Sequence, residues 1–338
     1  MHSQNMRTLF LAAAAGVACA SDDAARWAQF KRAHGKSYAS AVEHDARFGV
    51  FVGNLRLYEA RSAADKHATF GPDRFADLAP EEFRAQQGGC FHQAPVAPRD
   101  YSAAEVAGQR AVIAAAGGDG TIDWRDDKHR AVTPAKDQGA FGDCWAFGAS
   151  GVMEGINVAQ AGHNLTALCE QELIDCCAPC NGAGPGESWD YLINNTHGFL
   201  DTEASYPYTG DKPAGKCRPP TAVASDAKVS SWKIVQQDKG GSQDAFLAEM
   251  IKSGPCNIGV DASCLSGYVD GVITNCTGKD VDHANVIVGA GTMPPSEGSV
   301  DYFIVKNSWG AGWGNQGFYK VARNTGQMKI DACWHAYV

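Results

Sequence analysis

A stretch rich in small, polar and turn-forming residues, from 86 to 120, divides this 338-residue chain into two parts of different character. Gln86-Gln87-Gly88-Gly89 opens the stretch, and Ala114-Ala115-Ala116-Gly117-Gly118 lies near its end. Sequences of this composition form linkers, and exposed linkers are the segments that proteases cut. We therefore expect an N-terminal unit, residues 21–85, joined by a cleavable linker to a larger domain, residues 121–338.

The first 20 residues carry the features of a secretory signal peptide. Arg7 precedes an apolar run from Leu9 to Ala18, and Ala18-Cys19-Ala20 places small residues at the two positions that a signal peptidase reads. The run is shorter than the ~20 residues that cross a bilayer, so no membrane span is expected. Three sequons agree with passage through the secretory pathway, and their candidate glycosylation sites are Asn164, Asn194 and Asn275.

Residues 24–62 are predicted to be helical, because aromatic and apolar side chains recur there at three- and four-residue steps. Trp27 and Phe30 lie three apart. A second set with this spacing consists of Phe48, Phe51, Leu55 and Tyr58. A short helix is expected after Pro80.

Beyond residue 121 the pattern changes from helix to strand. Residues 145–161 fit a helix, and later apolar segments at 285–289, 302–306 and 317–321 fit strands. A helical part followed by a sheet indicates an α+β domain with a cleft between two halves.

The overall composition excludes several classes of protein. Hydrophobic residues make up 44% of the chain, enough for a packed core, and the formal net charge is −9. A nucleic-acid binder needs a basic face to displace counterions from phosphate, so no nucleic-acid partner is expected. Twelve cysteines are too many for an ordinary reduced cytosolic enzyme and indicate an oxidising compartment.

The residues best suited to chemistry are Cys144 and two residues much later in the chain. A glycine-bearing loop leads from Gln138 into the predicted helix and places Cys144 at the helix N-terminus, where unpaired N–H groups and the dipole favour a thiolate. His283 opens one predicted strand and Asn307 follows another. An imidazole can pair with a thiolate and protonate a leaving amine, and an Asn amide oxygen can hold the ring. The Gln138 amide can donate to an oxyanion.

These residues and their spacing resemble the papain family of cysteine proteases. His283 follows Cys144 by 139 residues, and Asn307 follows it by 163. Further matching blocks are Asp123-Trp124-Arg125, Cys180-Asn181-Gly182, Tyr206-Pro207-Tyr208 and Asn307-Ser308-Trp309-Gly310. The resemblance covers nearly everything from residue 24 onward. It implies a papain-like two-lobed α+β fold, with a helical lobe and a β-barrel-like lobe on either side of a cleft.

The N-terminal unit, residues 21–85, is similar to the inhibitory prosegment of that family. The interrupted helix motif of such prosegments is matched by Glu43, Arg47, Phe51 and Asn54. Their second motif is matched by Gly71, Asp73, Phe75 and Asp77, with Asp73 where asparagine is usual. The length of the prosegment resembles the cathepsin L-like branch, and no paired-histidine insertion resembling that of cathepsin B is found. Endopeptidase action is therefore expected.

By this resemblance Cys144 is the nucleophile, His283 the acid and base, Asn307 the partner that orients it, and Gln138 the oxyanion donor. Trp309 is expected to shield the hydrogen bond between His283 and Asn307.

The resemblance also implies residues that contact a polypeptide substrate. Gly182 and Ala183 would present backbone to an extended chain. Val281 and Ala284 would line an apolar pocket for the side chain second from the scissile bond, with Val338 at the floor of that pocket. A valine at the floor predicts apolar side chains at that substrate position.

Two disulfides are implied by the resemblance, Cys176–Cys217 and Cys276–Cys333. A third family bridge cannot form, because Phe141 stands where the partner of Cys180 would be. The pairing of the other cysteines stays open for Cys90, Cys169, Cys177, Cys180, Cys256 and Cys264. No second ligand pair at suitable spacing accompanies the cysteine cluster at 176–180, so neither a metal site nor a cofactor is expected.

Asp143 precedes the nucleophile where serine or alanine is usual. A carboxylate there would oppose ionisation of the Cys144 thiol, or attract a basic residue of the substrate. The alternative is that it points to water and has little effect.

The sequence thus predicts a monomeric zymogen of the secretory pathway, lysosomal, vacuolar or extracellular, with its own prosegment as intramolecular inhibitor. After losing residues 21 to roughly 120 it would hydrolyse polypeptides through a Cys144 thioester. One alternative is a non-catalytic homologue that acts as an inhibitor or binding protein, which has no need for four intact catalytic residues. A cathepsin H-like aminopeptidase is another, although no anchored peptide segment that blocks the cleft is found.

Overall fold

A computed structural model describes residues 22–338, apart from 89–90, 92–95, 119, 178–179, 181, 183, 211–216 and 218–225. The predicted signal peptide, Cys90 and Ala183 lie outside the described residues. Within these residues no helix is long and apolar enough to cross a membrane. The same part of the chain holds no group of three or more His, Cys, Asp or Glu side chains arranged to hold a metal ion.

The predicted helical stretch of the prosegment is two helices, α1 (22–33) and α2 (Ala41–Ala64). The chain turns between them at Gly35, whose φ is +61°. The Ser40 side chain then caps α2 by accepting a hydrogen bond from the Glu43 N–H at 3.1 Å. The two helices pack through aromatic rings, with Trp27 of α1 5.0 Å from Phe51 of α2.

The prosegment continues as a short strand, β1 (Ala68–Phe70), and a helix, α3 (Pro80–Gln87), which confirms the prediction of a helix after Pro80. Asn54 ties α2 to the loop between them, because its Nδ2 donates to the carbonyls of Ala76 and Leu78 at 2.9 Å each. β1 pairs antiparallel with a strand of the larger domain, β5 (Tyr268–Ile273). The prosegment therefore adds an edge strand to the sheet of that domain.

The linker contains a helix that the sequence did not predict, α4 (Ala103–Ala115). Its first turn carries a capping box, in which Ser102 and Glu105 satisfy each other's backbone N–H groups. The Tyr101 hydroxyl donates to the Gln236 carbonyl at 2.8 Å, and α4 packs on α8 (Asp244–Ser253). The linker is thus docked along the domain that it precedes.

Three helices form the first lobe of the larger domain: α5 (Cys144–Ala161), α6 (Gln171–Cys176) and α7 (Pro185–Asn195). α5 confirms the helix predicted at 145–161. It ends at Gly162, whose left-handed φ of +70° suits glycine. One buried apolar cluster is centred on α5 and α7 and includes Val152, Ile156, Trp189 and Leu192.

The second lobe is built on a sheet whose strands run in the order β1-β5-β8-β7-β6-β4-β9-β3, with β2 also paired to β6. The remaining strands are β2 (Ile122–Asp123), β3 (Ser231–Gln236), β4 (Cys256–Val260), β6 (His283–Thr292), β7 (Asp301–Lys306), β8 (Phe318–Ala322) and β9 (Ala332–Tyr337). β6, β7 and β8 confirm the three predicted strands. A second apolar cluster is centred on this sheet and α8. The fold is therefore α+β and papain-like, as predicted.

The disulfides agree with the sequence prediction in one case and correct it in another. The structure pairs Cys176 with Cys217, as expected, and also Cys177 with Cys180. It pairs Cys264 with Cys276, so the predicted Cys276–Cys333 bridge is wrong. Cys264 and Cys276 lie just before and just after β5, and a bridge between them closes a short loop around that strand.

Cys333 lies elsewhere, in β9, opposite Val235 of β3 and Ile258 of β4. It is a buried thiol, as are Cys169 and Cys256. Its place between two strand neighbours explains why it does not reach the loop that follows β5.

Candidate active site

Cys144 is the first residue of α5 and is 1% exposed. The preceding loop turns at Gly139, whose φ is +66°, and the Asp143 carbonyl then accepts hydrogen bonds from the N–H groups of Ala146 and Phe147. The positive end of the helix dipole lies at the sulfur, and this end of a helix stabilises a thiolate.

His283 and Asn307 are brought together by neighbouring strands. His283 is the first residue of β6, Asn307 follows the last residue of β7, and the two strands pair antiparallel with Val286 opposite Lys306. The imidazole Nε2 and the Asn307 Oδ1 are 2.8 Å apart. The other ring nitrogen, Nδ1, makes no hydrogen bond to any described residue. A ring held through Nε2 leaves Nδ1 for a nucleophile.

The imidazole of His283 is fully buried beneath the prosegment. Burial lowers its pKa to about 4, and the hydrogen bond with Asn307 acts in the opposite direction. Trp309 stacks on the ring with centroids 4.9 Å apart and planes inclined by 25°. Phe75 and Phe83 of the prosegment pack edge-to-face against Trp309, with ring centroids 5.5 Å apart in each pair. Trp309 thus covers the His283–Asn307 pair, the place that the sequence assigned to it.

Gln138 is buried, and both ends of its amide are bonded. Its Oε1 accepts from the Ser308 hydroxyl at 2.6 Å, and its Nε2 donates to the Phe141 carbonyl at 2.7 Å. One hydrogen on Nε2 remains for an oxyanion. Tyr208 fixes the same loop, because its hydroxyl lies 2.8 Å from the Gln138 carbonyl and 3.1 Å from the Asp143 carboxylate. Asp143 is 1% exposed, so the alternative that it points to water is wrong.

An apolar pocket beside Cys144 holds a side chain of the linker. Phe91 is 0% exposed and forms a small cluster with Cys144 and Ala284, against which Val281 packs. Space for the ring comes from Gly259 of β4, since a Cβ there would lie 2.6 Å from the ring and 2.5 Å from a Val281 methyl group. Val281 and Ala284 therefore lie together in an apolar pocket beside Cys144.

The floor of this pocket differs from the prediction. Trp334 of β9 meets the Phe91 ring edge-to-face, with centroids 6.2 Å apart. The prediction of Val338 is wrong, because its backbone N–H donates to the Gln160 side chain, at the far end of α5 from Cys144. β9 passes the pocket before the chain ends, so the contact falls four residues earlier than expected.

Three pocket residues were missed in the sequence: Phe91, Gly259 and Trp334. Phe91 offered a signal, as the lone Phe, Tyr or Trp between residues 84 and 100. Gly182, predicted to contact substrate, is buried with a φ of +79°, which suits glycine.

Ionic contacts hold the prosegment across the site. Arg74 pairs with Asp137 in the loop before Cys144. Arg84 lies 3.5 Å from Asp282, the residue before His283. Thr274 lies in the loop after β5. Its hydroxyl donates to the Asp65 carboxylate of the prosegment at 2.6 Å, and its backbone N–H donates to the same carboxylate at 2.7 Å. The prosegment therefore contacts both sides of the cleft.

Comparisons with known proteins agree with this geometry. A family model described as papain family cysteine protease matches residues 119–337, and one described as cathepsin propeptide inhibitor domain (I29) matches residues 27–83. Cysteine proteinase B of Leishmania mexicana is 36% identical over 316 residues, which cover 92% of this chain and 67% of that protein. A cysteine proteinase of Trypanosoma brucei brucei is 34% identical over 312 residues, covering 90% of this chain and 65% of its own.

The chain thus spans about two thirds of the length of these two relatives. Cysteine proteinase 15A of Pisum sativum is 33% identical over 329 residues, covering 90% of this chain and 83% of its own.

Two solved proenzymes share the whole architecture. A recombinant stem bromelain precursor matches with a TM-score of 0.78 and 28% identity, covering 94% of this chain and 99% of its own. Digestive procathepsin L 3 of Tenebrio molitor matches with a TM-score of 0.74, the same identity and the same coverage. The chain belongs to the papain family of cysteine proteases and carries an inhibitory propeptide ahead of its peptidase domain.

Proposed function

We propose that this protein is an endopeptidase made as a zymogen, with Cys144 as its nucleophile and His283 as its acid and base. The observation that carries the proposal is the contact between Cys144, at the N-terminus of α5, and Ala284, the residue next to His283. Asn307 holds the imidazole through Nε2 at 2.8 Å, which leaves Nδ1 as the nitrogen for the thiol. In a thiol–imidazole pair of this kind, the imidazole takes the proton of the thiol and so activates the sulfur as a nucleophile.

The reaction follows from these positions. The Cys144 sulfur bonds to the carbonyl carbon of the scissile peptide, and its oxygen becomes an oxyanion that accepts hydrogen bonds from Gln138 Nε2 and the Cys144 N–H. The His283 imidazolium gives its proton to the leaving amine, and a thioester remains. The C-terminal fragment leaves as this amine. His283 then takes a proton from water, the resulting hydroxide displaces the Cys144 thiolate, and the N-terminal fragment leaves with a new carboxyl group.

The preferred substrates carry an apolar, and best an aromatic, side chain at the second position before the scissile bond. Support comes from Phe91, whose ring fills the pocket formed by Val281, Ala284, Gly259 and Trp334. An apolar pocket without a charged residue favours such a ring through the area that it buries. Gly182 and Ala183 would bind the substrate backbone beside it.

The chain is proposed to act as a monomer of the secretory pathway, lysosomal, vacuolar or extracellular, activated by cleavage within residues 86–120. Asn164 and Asn194 are exposed and suit N-glycosylation. Asn275 is also exposed, but its Nδ2 donates to the Ala64 carbonyl of the prosegment at 3.2 Å.

Incubation of the purified full-length chain at mildly acidic pH tests the endopeptidase. Loss of residues 21 to roughly 120, followed by cleavage of N-terminally blocked peptides, is expected in the wild type and not in Cys144→Ser. A wild-type chain that stays intact and inactive would favour the non-catalytic homologue. Activity restricted to peptides with a free N-terminus would favour an aminopeptidase.

A further inference from the structure

Two buried polar side chains extend the hydrogen-bond network behind the catalytic pair. Asn285 is 2% exposed and lies two residues after His283, on the same face of β6. Its Oδ1 accepts a hydrogen bond from the hydroxyl of Tyr319, a fully buried residue of β8, at 3.0 Å. A buried amide and a buried hydroxyl are costly unless they are bonded, and here each satisfies the other.

The bond from Tyr319 fixes which end of the Asn285 amide faces the catalytic pair. Burial raises the pKa of the Tyr319 phenol well above its usual value, so the hydroxyl keeps its proton and can donate. With Oδ1 engaged, Asn285 turns its Nδ2 toward its neighbours. Nδ2 lies 2.9 Å from the Asn307 Oδ1, 2.9 Å from the Ala284 carbonyl and 3.1 Å from the His283 Nε2.

The imidazole Nε2 therefore faces two partners of opposite character. Asn307 Oδ1 accepts a hydrogen bond from Nε2 when that nitrogen carries a proton. Asn285 Nδ2 can only donate, and Nε2 carries the proton both in the imidazolium and in the neutral ring whose bare Nδ1 accepts from the Cys144 thiol. The hydrogens on Asn285 Nδ2 carry partial positive charge and lie against the ring, so they oppose the positive charge of the imidazolium. Asn307 thus stabilises the imidazolium, and Asn285 stabilises the neutral ring.

We propose that Asn285 is a positioning residue which, anchored by Tyr319, shifts the Cys144–His283 pair toward its neutral thiol–imidazole form. This inference rests on the proposed function, since it describes how the same pair is tuned. The residue touches neither substrate nor scissile bond and acts through the imidazole.

The charged groups near the ring have other partners. Asp261, which follows β4, and Asp282, which precedes β6, accept hydrogen bonds from backbone N–H groups, and Arg84 of the prosegment lies beside Asp282. Lys306 of β7 bonds to a buried threonine and glutamate. Cys144 of α5 contacts Ala284, the residue next to His283. Among the described residues, the side-chain partners of Nε2 are therefore the amides of Asn307 and Asn285.

The test is the pH dependence of kcat/KM of the matured enzyme on a blocked peptide. The double variant Asn285→Leu with Tyr319→Phe removes the amide and leaves no orphan hydroxyl. The alkaline midpoint, where the imidazolium loses its proton, should rise by about 0.5–1 pH unit, the equivalent of one ordinary hydrogen bond. Tyr319→Phe alone keeps the amide but frees it to rotate, and a smaller rise is expected.

Tyr268→Phe is the matched control, because its buried hydroxyl bonds to the Gly271 carbonyl and not to the catalytic network. Its alkaline midpoint should equal that of the wild type. An unchanged or lowered midpoint in the double variant would overturn the inference. If the double variant does not mature, the alkaline midpoint of Tyr319→Phe decides. A rise supports the inference, and an unchanged or lowered midpoint overturns it. A wild type without thiol-dependent activity would instead refute the proposed function.

Discussion

The Phe91 ring is the part of the linker that fills the proposed substrate pocket, so its removal should loosen the zymogen. The ring is 0% exposed and lies against Cys144 and Ala284. Transferring a phenylalanine side chain from such a site to water costs about 1.5–3 kcal/mol, and deletion from a closed core costs about 3–5 kcal/mol. Water can enter an emptied pocket in a cleft, so the lower range applies.

A loss of about 1.5–3 kcal/mol would raise the population of the open zymogen about 10- to 150-fold. The rate at which a small neutral reagent alkylates Cys144 at neutral pH reports this population, provided that opening and closing are fast. Phe91→Ala should accelerate alkylation by this factor in the full-length chain, and Phe91→Leu by much less.

Tyr101→Ala is the control, since it removes an aromatic ring from the same linker without touching the pocket. Its alkylation rate should stay within about threefold of the wild type, a difference well under 1 kcal/mol. Equal rates for Phe91→Ala and the wild type would refute the assignment of the ring to the pocket. Equal acceleration by Phe91→Ala and Tyr101→Ala would show that linker docking in general, not the ring, closes the site.

Three further predictions concern the pocket, the pH and the glycan. Gly259→Val fills the space that the Phe91 ring occupies, so kcat/KM for peptides with phenylalanine at the second position should fall at least about tenfold relative to those with valine. Burial raises the Asp73 pKa to about 6, above its ordinary value, so protonation of Asp73 as the pH falls from 6 to 4 strengthens docking of the prosegment. Asp73→Asn removes this effect, so the rate of self-processing should rise more steeply with acid in the variant than in the wild type. Peptide mapping should find glycan at Asn164 and Asn194 but little at Asn275, whose amide contacts the prosegment; full occupancy at Asn275 would contradict that contact.

The sequence was most informative where local chemistry and long-range position agree. Cys144 follows a glycine-bearing loop at a helix start, and His283 and Asn307 lie at the ends of apolar strands. Their residue types and their spacing in the sequence were therefore enough to predict the candidate site. Short, mostly apolar segments likewise predicted β6, β7 and β8.

The failures have a common physical origin in tertiary contacts. α4 lies in a segment of small residues, and its docking on α8 is not visible in local composition. The choice of Cys264 over Cys333 as partner of Cys276 depends on how strands cross in space. Trp334 takes the place predicted for Val338 in the pocket for the same reason. The prediction relied on the position of the C-terminus in the resemblance, which does not show which residue of β9 passes the pocket.

The most direct test of the catalytic pair is the pH dependence of Cys144 alkylation in the matured protein. A sulfur ionised by a neighbouring imidazolium should be labelled rapidly well below pH 7, and His283→Ala should return its midpoint toward the ~8.5 of an ordinary thiol. A wild-type midpoint near that ordinary value, unchanged in His283→Ala, would contradict the pair.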